Sequence, residues 1–215
     1  MRFDRESFYA IAPFAAWILL MTLLPASAGS YALRSACAAA LALPLLPRLF
    51  KQSKAVYARS LMFGVPAGLL VLVLWIAPER FEWYREWLVV GGMSAEPSPY
   101  EPTLAGWPLV IAKLIGSAFV IAPIEELFFR NYLYRRLQDR QWQAVSPSRF
   151  DASAFFWTVA LFALEHNRIA VAALAGAIYS AAAIRHGIGA AIVAHITTNF
   201  ALGLWVICRG DWAFW

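Results

Sequence analysis

The sequence predicts an all-α protein, a polytopic bundle of about seven transmembrane helices, with six to eight as the range that its length allows. The composition supports this class, since 61% of the 215 residues are hydrophobic and only 14% are charged, against about 25% charged residues in soluble domains. Lipid permits only structures that satisfy their backbone hydrogen bonds internally, which for this pattern means helices. We therefore expect residues 1–215 to form a single integral-membrane domain.

Each of seven apolar segments is expected to form one helix. The segments cover residues 8–24, 31–50, 61–77, 104–137, 152–164, 169–184 and 188–207. The fourth is longer than one crossing needs and contains Pro123, so we expect it to kink there or to continue out of the membrane. The fifth and sixth are short for a full crossing of ~20 residues. The first half of the loop 79–103 has the composition of an amphipathic helix that lies on the membrane surface.

The N-terminal segment resembles a secretory signal peptide, because small residues at 25–28 follow the apolar run 8–24. The run is longer than the usual ~7 to 15 residues of such a signal. Asp4 and Glu6 also weaken the positive charge that should precede it. We expect this segment to be retained as the first helix.

Basic residues mark one side of the membrane. They concentrate in the loops 48–59 and 135–149 and at Arg185, whereas the loop 79–103 is acidic. The positive-inside rule then places the N-terminus in the cytoplasm and the acidic loop outside, as in a multi-pass protein of a bacterial inner membrane. Because this distribution accounts for the net charge of +5, we do not expect nucleic acid as a partner.

Two adjacent carboxylates and an arginine lie close together inside the fourth apolar segment: Glu125, Glu126 and Arg130. Charged groups at such a depth are costly and are a functional hypothesis by default. Glu126 and Arg130 are four residues apart and can form an ion pair on one helix face. Glu125 points about 100° away and remains available for other interactions. A purely structural ion pair is the alternative.

Two histidines and an asparagine extend this polar group. His166 ends the fifth segment, while His195 and Asn199 share one face of the last. At ~1.5 Å per residue from the cytoplasmic boundary, Glu125 and His195 each lie roughly 15 Å deep and His166 roughly 20 Å. A short hairpin would therefore bring all of them to one buried cavity. The alternatives are a helix cap for His166 and an interhelical hydrogen-bond pair for His195 and Asn199.

These side chains suit amide hydrolysis without a covalent intermediate. A desolvated carboxylate beside an imidazole can deprotonate water. A second imidazole and an amide can donate hydrogen bonds to the developing oxyanion.

Three runs of sequence resemble the motifs of the CAAX-protease and bacteriocin-processing family (CPBP, or ABI) of intramembrane endopeptidases. They are Glu125-Glu126-x-x-x-Arg130, Phe162-x-x-x-His166 and His195-x-x-x-Asn199. The resemblance covers residues 104–204 as the protease core. It implies that Glu125 activates water with help from His166, that His195 and Asn199 form the oxyanion hole, and that Glu126, Arg130 and Phe162 support them. The implied substrate is a membrane-associated protein or peptide.

A narrower resemblance involves the end of the chain. Together with Glu-Glu-Leu-Phe-Phe-Arg, Phe-Ala-Leu-Glu-His and Ala-His-Ile-Thr-Thr-Asn, the terminal Trp-Ala-Phe-Trp is similar to the CAAX-protease-related bacterial proteins found alongside exosortase systems. This similarity implies an association with an exosortase system.

No cofactor is favoured, although a zinc site is the alternative. Glu125, His166 and His195 could supply a His₂Glu ligand set with an open position. The usual HExxH spacing is absent, because Asn167 and Arg168 follow His166. We favour activation of water without a metal.

Two other functions remain open. A membrane scaffold or chaperone could retain the fold without catalysis. A transporter or channel could use Glu125, His166 and His195 as a proton relay, but we find no inverted repeat or paired broken helices, which are typical of transporters.

Overall fold

The computed structural model describes residues 5–45, 53–84 and 98–215, and within these ranges the chain is helical and contains no strand. Seven longer helices pack into one bundle. They are α1 (Arg5–Leu23), α2 (Ala28–Ala42), α3 (Lys54–Ile76), α4 (Trp107–Gln138), α5 (Ala152–Leu164), α6 (Ile169–His186) and α7 (Ile188–Arg209). Short helical turns cover Leu43–Leu45, Ala77–Arg80, Pro102–Ala105, Trp142–Ala144 and Trp212–Phe214.

The all-α prediction is confirmed, and each predicted segment contains one helix. Five helices, α1, α3, α4, α6 and α7, are long and apolar enough to cross a membrane. The fifth segment is short as predicted, with 13 residues in α5. The expectation that the sixth segment is also short was wrong, because α6 extends to His186 and reaches 18 residues.

Two expectations fall partly outside the described residues. The second predicted segment runs to residue 50, whereas α2 has 15 residues and the described chain stops at Leu45. Most of the proposed surface helix in the loop 79–103 also lies outside them.

Short polar side chains start three of the helices. Ser27 accepts a hydrogen bond from the backbone N–H of Ser30 at the start of α2. Ser53 caps α3 and Asp151 caps α5 in the same way, each through the N–H three residues later. Such N-caps satisfy donors that the first turn of a helix leaves free. The α6–α7 turn uses Gly187 at φ +92°, which disfavours residues with a side chain.

Helix α4 stays continuous through Pro123, but its turns widen on both sides. Ser117–Ile121 and Leu127–Leu133 are π-helical, and the α-helical turn Ala122–Glu126 lies between them. A proline ring clashes with the carbonyl four residues earlier and removes one N–H. The wider π turns accommodate that defect, and π-bulges of this kind are frequent at functional sites.

The closest helix contact joins α3 and α7. A Cβ atom added to Gly68 would lie 2.3 Å from the carbonyl oxygen of Ala194, and one added to Gly64 would lie 2.7 Å from that of Ala190. The absence of side chains at these positions lets the two backbones meet, as is common in membrane bundles. The Thr198 hydroxyl strengthens the contact by donating to the carbonyl of Gly68 at 2.9 Å.

An aromatic core positions the polar residues. Phe14, Phe129 and Phe162 are buried and lie with successive ring centroids 5.2 and 5.3 Å apart. They join α1, α4 and α5. The bundle is thus packed tightly around the middle of α4, where Glu125 and Glu126 lie.

Candidate active site

A cavity of about 280 Å³ opens between α4, α6, α7 and the turn after α5. Its lining includes Glu125, His166, His195 and Asn199, the four residues predicted to be catalytic. Phe162 also lines it. The structure therefore brings together side chains that three separate helical segments contribute.

One face of α4 forms a wall of the cavity. Lys113, Ser117, Ile121 and Glu125 all line it, at a regular spacing of four residues. In a regular α-helix with 3.6 residues per turn, such a row would drift about 40° at each step. The wider π turn at Ser117–Ile121 reduces this drift and keeps the row on the cavity side.

The predicted ion pair between Glu126 and Arg130 is present and fully buried. Arg130 Nη1 donates to Glu126 Oε1 at 2.9 Å, and both side chains are at most 1% exposed. Arg130 also donates to the Ser180 hydroxyl at 3.3 Å and to the Gly176 carbonyl at 3.1 Å. Its guanidinium lies 4.2 Å from the centroid of the Phe162 ring. These contacts join α4 to α5 and α6.

Glu126 has a second partner that sequence analysis missed. His195 Nδ1 lies 2.9 Å from the same oxygen, Oε1, that accepts from Arg130. An ionised carboxylate can only accept, so this contact places a proton on Nδ1. The ring also stacks on Tyr179, with centroids 4.7 Å apart at 22°. His195 is thereby fixed, with its other nitrogen free.

Glu125 keeps an oxygen without a hydrogen bond. Its side chain is buried, and Oε2 has no hydrogen-bond partner among the described residues. The same oxygen lies 3.8 Å from His195 Nε2, which is longer than a hydrogen bond. An unpaired buried carboxylate oxygen in a cavity is well suited to bind a water molecule.

His166 and Asn199 are each held by a backbone carbonyl. His166 Nδ1 lies 2.9 Å from the carbonyl of Phe162 and must donate to it, which leaves Nε2 as an acceptor. Burial lowers the pKa of His166 to about 4, so that the ring is neutral near pH 7. Asn199 Nδ2 donates to the Ser117 carbonyl at 3.1 Å and has a second hydrogen for another acceptor.

Glu165 is a polar neighbour to which the sequence assigned no role. It precedes His166 in the turn after α5, is half-buried, and has a buried oxygen, Oε2, with no hydrogen-bond partner among the described residues. Burial raises its pKa to about 7, and the charge of Arg130 partly opposes this rise. Its position directly before His166 in the second motif was the sequence signal that could have identified Glu165 as a residue of the site.

An ion pair and the C-terminal turn border the cavity on one side. Arg168 pairs with Glu79 and donates to the Ala213 carbonyl at 3.2 Å. Its guanidinium lies 4.9 Å from the centroid of the Phe214 ring. Arg168, Ala213 and Phe214 all line the cavity. The ends of α3 and α7 and the turn after α5 are thus connected at its edge.

The zinc alternative can be compared with the positions of its ligands. In the described part of the chain, Nε2 of His166, Nε2 of His195 and one oxygen of Glu125 make no hydrogen bond. Within the described ranges, however, no group of three His, Cys, Asp or Glu side chains is spaced to hold a metal ion.

Comparison with protein families gives one match. Residues 107–201 match the family model for the Rce1-like type II CAAX prenyl endopeptidases. Comparison with curated proteins gives no match, and comparison with solved structures gives none either. The matched range contains all three motifs and therefore Glu125, His166, His195 and Asn199. It does not distinguish the exosortase-associated subgroup.

Proposed function

We propose, from the match of residues 107–201 to the family model of the Rce1-like endopeptidases, that the protein is an intramembrane protease that hydrolyses a peptide bond in a membrane-associated protein or peptide. The observation that supports it best is the convergence of Glu125, His166, His195 and Asn199 on one buried cavity. The carboxylate of Glu125 and the imidazole of His166 each have an acceptor atom for water, and the amide of Asn199 has a donor hydrogen for an oxyanion. Hydrolysis of a peptide bond requires groups of both kinds.

Glu125 acts as the general base in this proposal. Its unpaired oxygen Oε2 binds the attacking water and removes a proton as the water adds to the carbonyl carbon of the scissile bond. The neutral His166 accepts a hydrogen bond from the same water through Nε2. The proton on Glu125 then passes to the leaving amine, which completes hydrolysis without a covalent enzyme intermediate.

His195 and Asn199 stabilise the oxyanion. The second amide hydrogen of Asn199 is available, because the first is donated to the Ser117 carbonyl. His195 carries one proton on Nδ1 toward Glu126, so it can donate from Nε2 only as an imidazolium. The Glu126 carboxylate stabilises that cation directly. Glu126 and Arg130 therefore act as positioning residues for His195.

Water activation without a metal remains our proposal, with zinc as the alternative. The metal content of purified protein distinguishes them. A stoichiometric zinc ion that is lost on His166→Ala or His195→Ala, together with activity that chelation removes and zinc restores, would favour the zinc site. Full activity in metal-free protein would favour direct activation by Glu125.

The first experiment compares the protein termini in membranes of cells that carry wild-type protein, Glu125→Gln or Glu82→Gln. Glu82 is an exposed carboxylate outside the cavity and serves as the matched control. We expect new protein termini with the wild type and with the control. Glu125→Gln should lower the rate of cleavage by a factor of ~10² to 10⁴, as removal of a general base does. Equal expression in the membrane is verified for each variant.

A scaffold or chaperone without catalytic activity gives a different result. The termini would then be identical for all three proteins, and Glu125→Gln would rescue any defect caused by deleting the gene. That outcome would overturn the protease and leave a binding function for the cavity.

We also propose a membrane, an orientation and a partner for the protein. The five apolar helices fit a multi-pass membrane protein, and we propose the inner membrane of a bacterium with the N-terminus inside. We also propose an association with an exosortase system, which rests on the narrower resemblance of the four sequence runs that include the terminal Trp-Ala-Phe-Trp. Co-purification with exosortase components, and its loss on truncation before Trp212, would test that association.

A further inference from the structure

Two cations lie beside the cavity away from the Glu126–Arg130 pair. Lys113 lines the cavity and begins the row on α4 that ends at Glu125. Its Nζ lies 3.9 Å from the centroid of the Tyr31 ring and 4.5 Å from that of Tyr100. Arg34 of α2 lies on the same ring, with Cζ 5.5 Å from the Tyr31 centroid. The two positive charges are therefore neighbours.

Neither cation is neutralised by the protein that surrounds it in the described ranges. Arg34 is only 6% exposed, and its buried Nε has no hydrogen-bond partner there. Its guanidinium packs on Trp17, 4.6 Å from the ring centroid. Arg130, Arg168 and His195 each lie within ion-pair distance of a carboxylate, at other places in the bundle. Buried charges are usually paired, and contacts with aromatic rings offset only part of the cost of desolvation.

The position of Lys113 relates this charge to the proposed chemistry. Lys113 and Glu125 line one cavity. A single ligand can therefore place an anionic group against Lys113 and the peptide bond to be cleaved beside Glu125. The two residues are 12 positions apart on α4, which corresponds to at most roughly 18 Å along the helix axis at ~1.5 Å per residue, because the wider π turn in this stretch shortens the helix. An extended peptide spans that distance in about five residues or fewer at ~3.3 to 3.6 Å each.

We propose that Lys113, with Arg34 behind it, binds a carboxylate of the substrate, and that this carboxylate lies within about five residues of the cleaved bond. The inference rests on the proposed endopeptidase function and specifies its substrate class. The carboxylate can be the free C-terminus of the peptide or the side chain of an Asp or Glu residue, since both present the same two acceptor oxygens. The rings of Tyr31 and Tyr100 lie against the charge of Lys113.

Peptide binding tests this site separately from catalysis. Dansyl-labelled apolar peptides of three to seven residues would be titrated into detergent-solubilised Glu125→Gln protein. Each peptide is made with a free C-terminal carboxylate and with a carboxamide, and a third set has a carboxamide end and one internal Glu. Energy transfer from tryptophan to dansyl reports Kd. The tryptophans that line the cavity, Trp17, Trp75 and Trp215, are suitable donors.

We expect the carboxylate form to bind about tenfold or more tightly than the carboxamide, as for a charge-assisted hydrogen bond in a buried site. Lys113→Gln should reduce that ratio to about one, and Lys113→Arg should restore most of it, whereas the exposed Lys54→Gln should leave it unchanged. Tighter binding of the peptides with a free C-terminus, or of those with an internal Glu, shows which of the two carboxylates the site binds.

Equal binding of the carboxylate and carboxamide forms, or a preference that survives Lys113→Gln, would overturn the anion site. If the protein prefers the carboxylate but the wild type cleaves no peptide, the protease function is overturned and the anion site is supported. If the wild type cleaves peptides but shows no carboxylate preference, the anion site is overturned and the protease function is supported. Thermal unfolding of each variant in detergent, together with the Lys113→Arg result, separates loss of the charge from misfolding.

Discussion

At the scale of single residues, Glu126 has the role that the structure changes most. Its sequence position predicts an ion pair with Arg130 one turn away, and that pair is present. The same oxygen also contacts His195, 69 positions along the chain. Glu126 therefore transmits the position of α4 to a proposed oxyanion donor on α7. A buried carboxylate that contacts both an arginine and a histidine is costly to disturb, because removal of Arg130 leaves its charge unpaired.

Glu165 leads to a prediction about pH. Burial raises its pKa to about 7, so it gains negative charge as the pH rises through neutrality, next to His166. We expect the pH–rate profile of wild-type protein to have an inflection near 7 that Glu165→Gln removes, while Glu82→Gln keeps it. Rates of peptide cleavage measured from pH 5 to 9 would show this. An unchanged inflection in Glu165→Gln would assign the titration to another group.

At the scale of elements, α4 is shaped by its irregular turns. The π segments on both sides of Ala122–Glu126 absorb the proline and align the row from Lys113 to Glu125. One of them also presents the Ser117 carbonyl to Asn199. The π turns that interrupt the regular geometry of α4 therefore also position residues of the candidate site.

The contact between α3 and α7 gives a second prediction. A Cβ at Gly68 would lie 2.3 Å from the carbonyl of Ala194, one residue before His195, whereas a Cβ at Gly29 would meet nothing within 4 Å. We expect Gly68→Ala to destabilise the protein by about 1–3 kcal/mol, as overpacking does, and to reduce activity by displacing His195. Thermal unfolding in detergent, with Gly29→Ala as the control, measures the first effect. Equal melting of both variants would show that α3 can move away without cost.

At the scale of the whole molecule, the cavity extends toward one end of the bundle. The residues at its edge, Asn167, Arg168 and Ala213 among them, follow the ends of α5 and α7. The basic loop between α4 and α5 lies at the other end. With the proposed orientation, the cavity faces away from the cytoplasm.

Cysteine labelling tests this orientation. In a background with Cys37→Ala and Cys208→Ala, single cysteines would replace the exposed Asn167 or the exposed Ser148. We expect a membrane-impermeant maleimide applied to spheroplasts to label the cysteine at position 167 at least tenfold more than the one at 148, because only the former lies outside. The inverse ratio would reverse the topology, and lysed membranes should label both.

Hydropathy and periodicity were sufficient for the helical class, for the positions of the seven segments and for the ion pair within α4, because each depends on residues close together in the chain. They also indicated that polar residues of three segments lie at similar depth, since depth follows from counting along a helix. The contact of His195 with Glu126, the unpaired oxygen of Glu125 and the approach of Arg34 to Lys113 depended on how the helices rotate and pack. That rotation is set by the π turns of α4 and by glycine contacts between α3 and α7, and no local pattern specifies it.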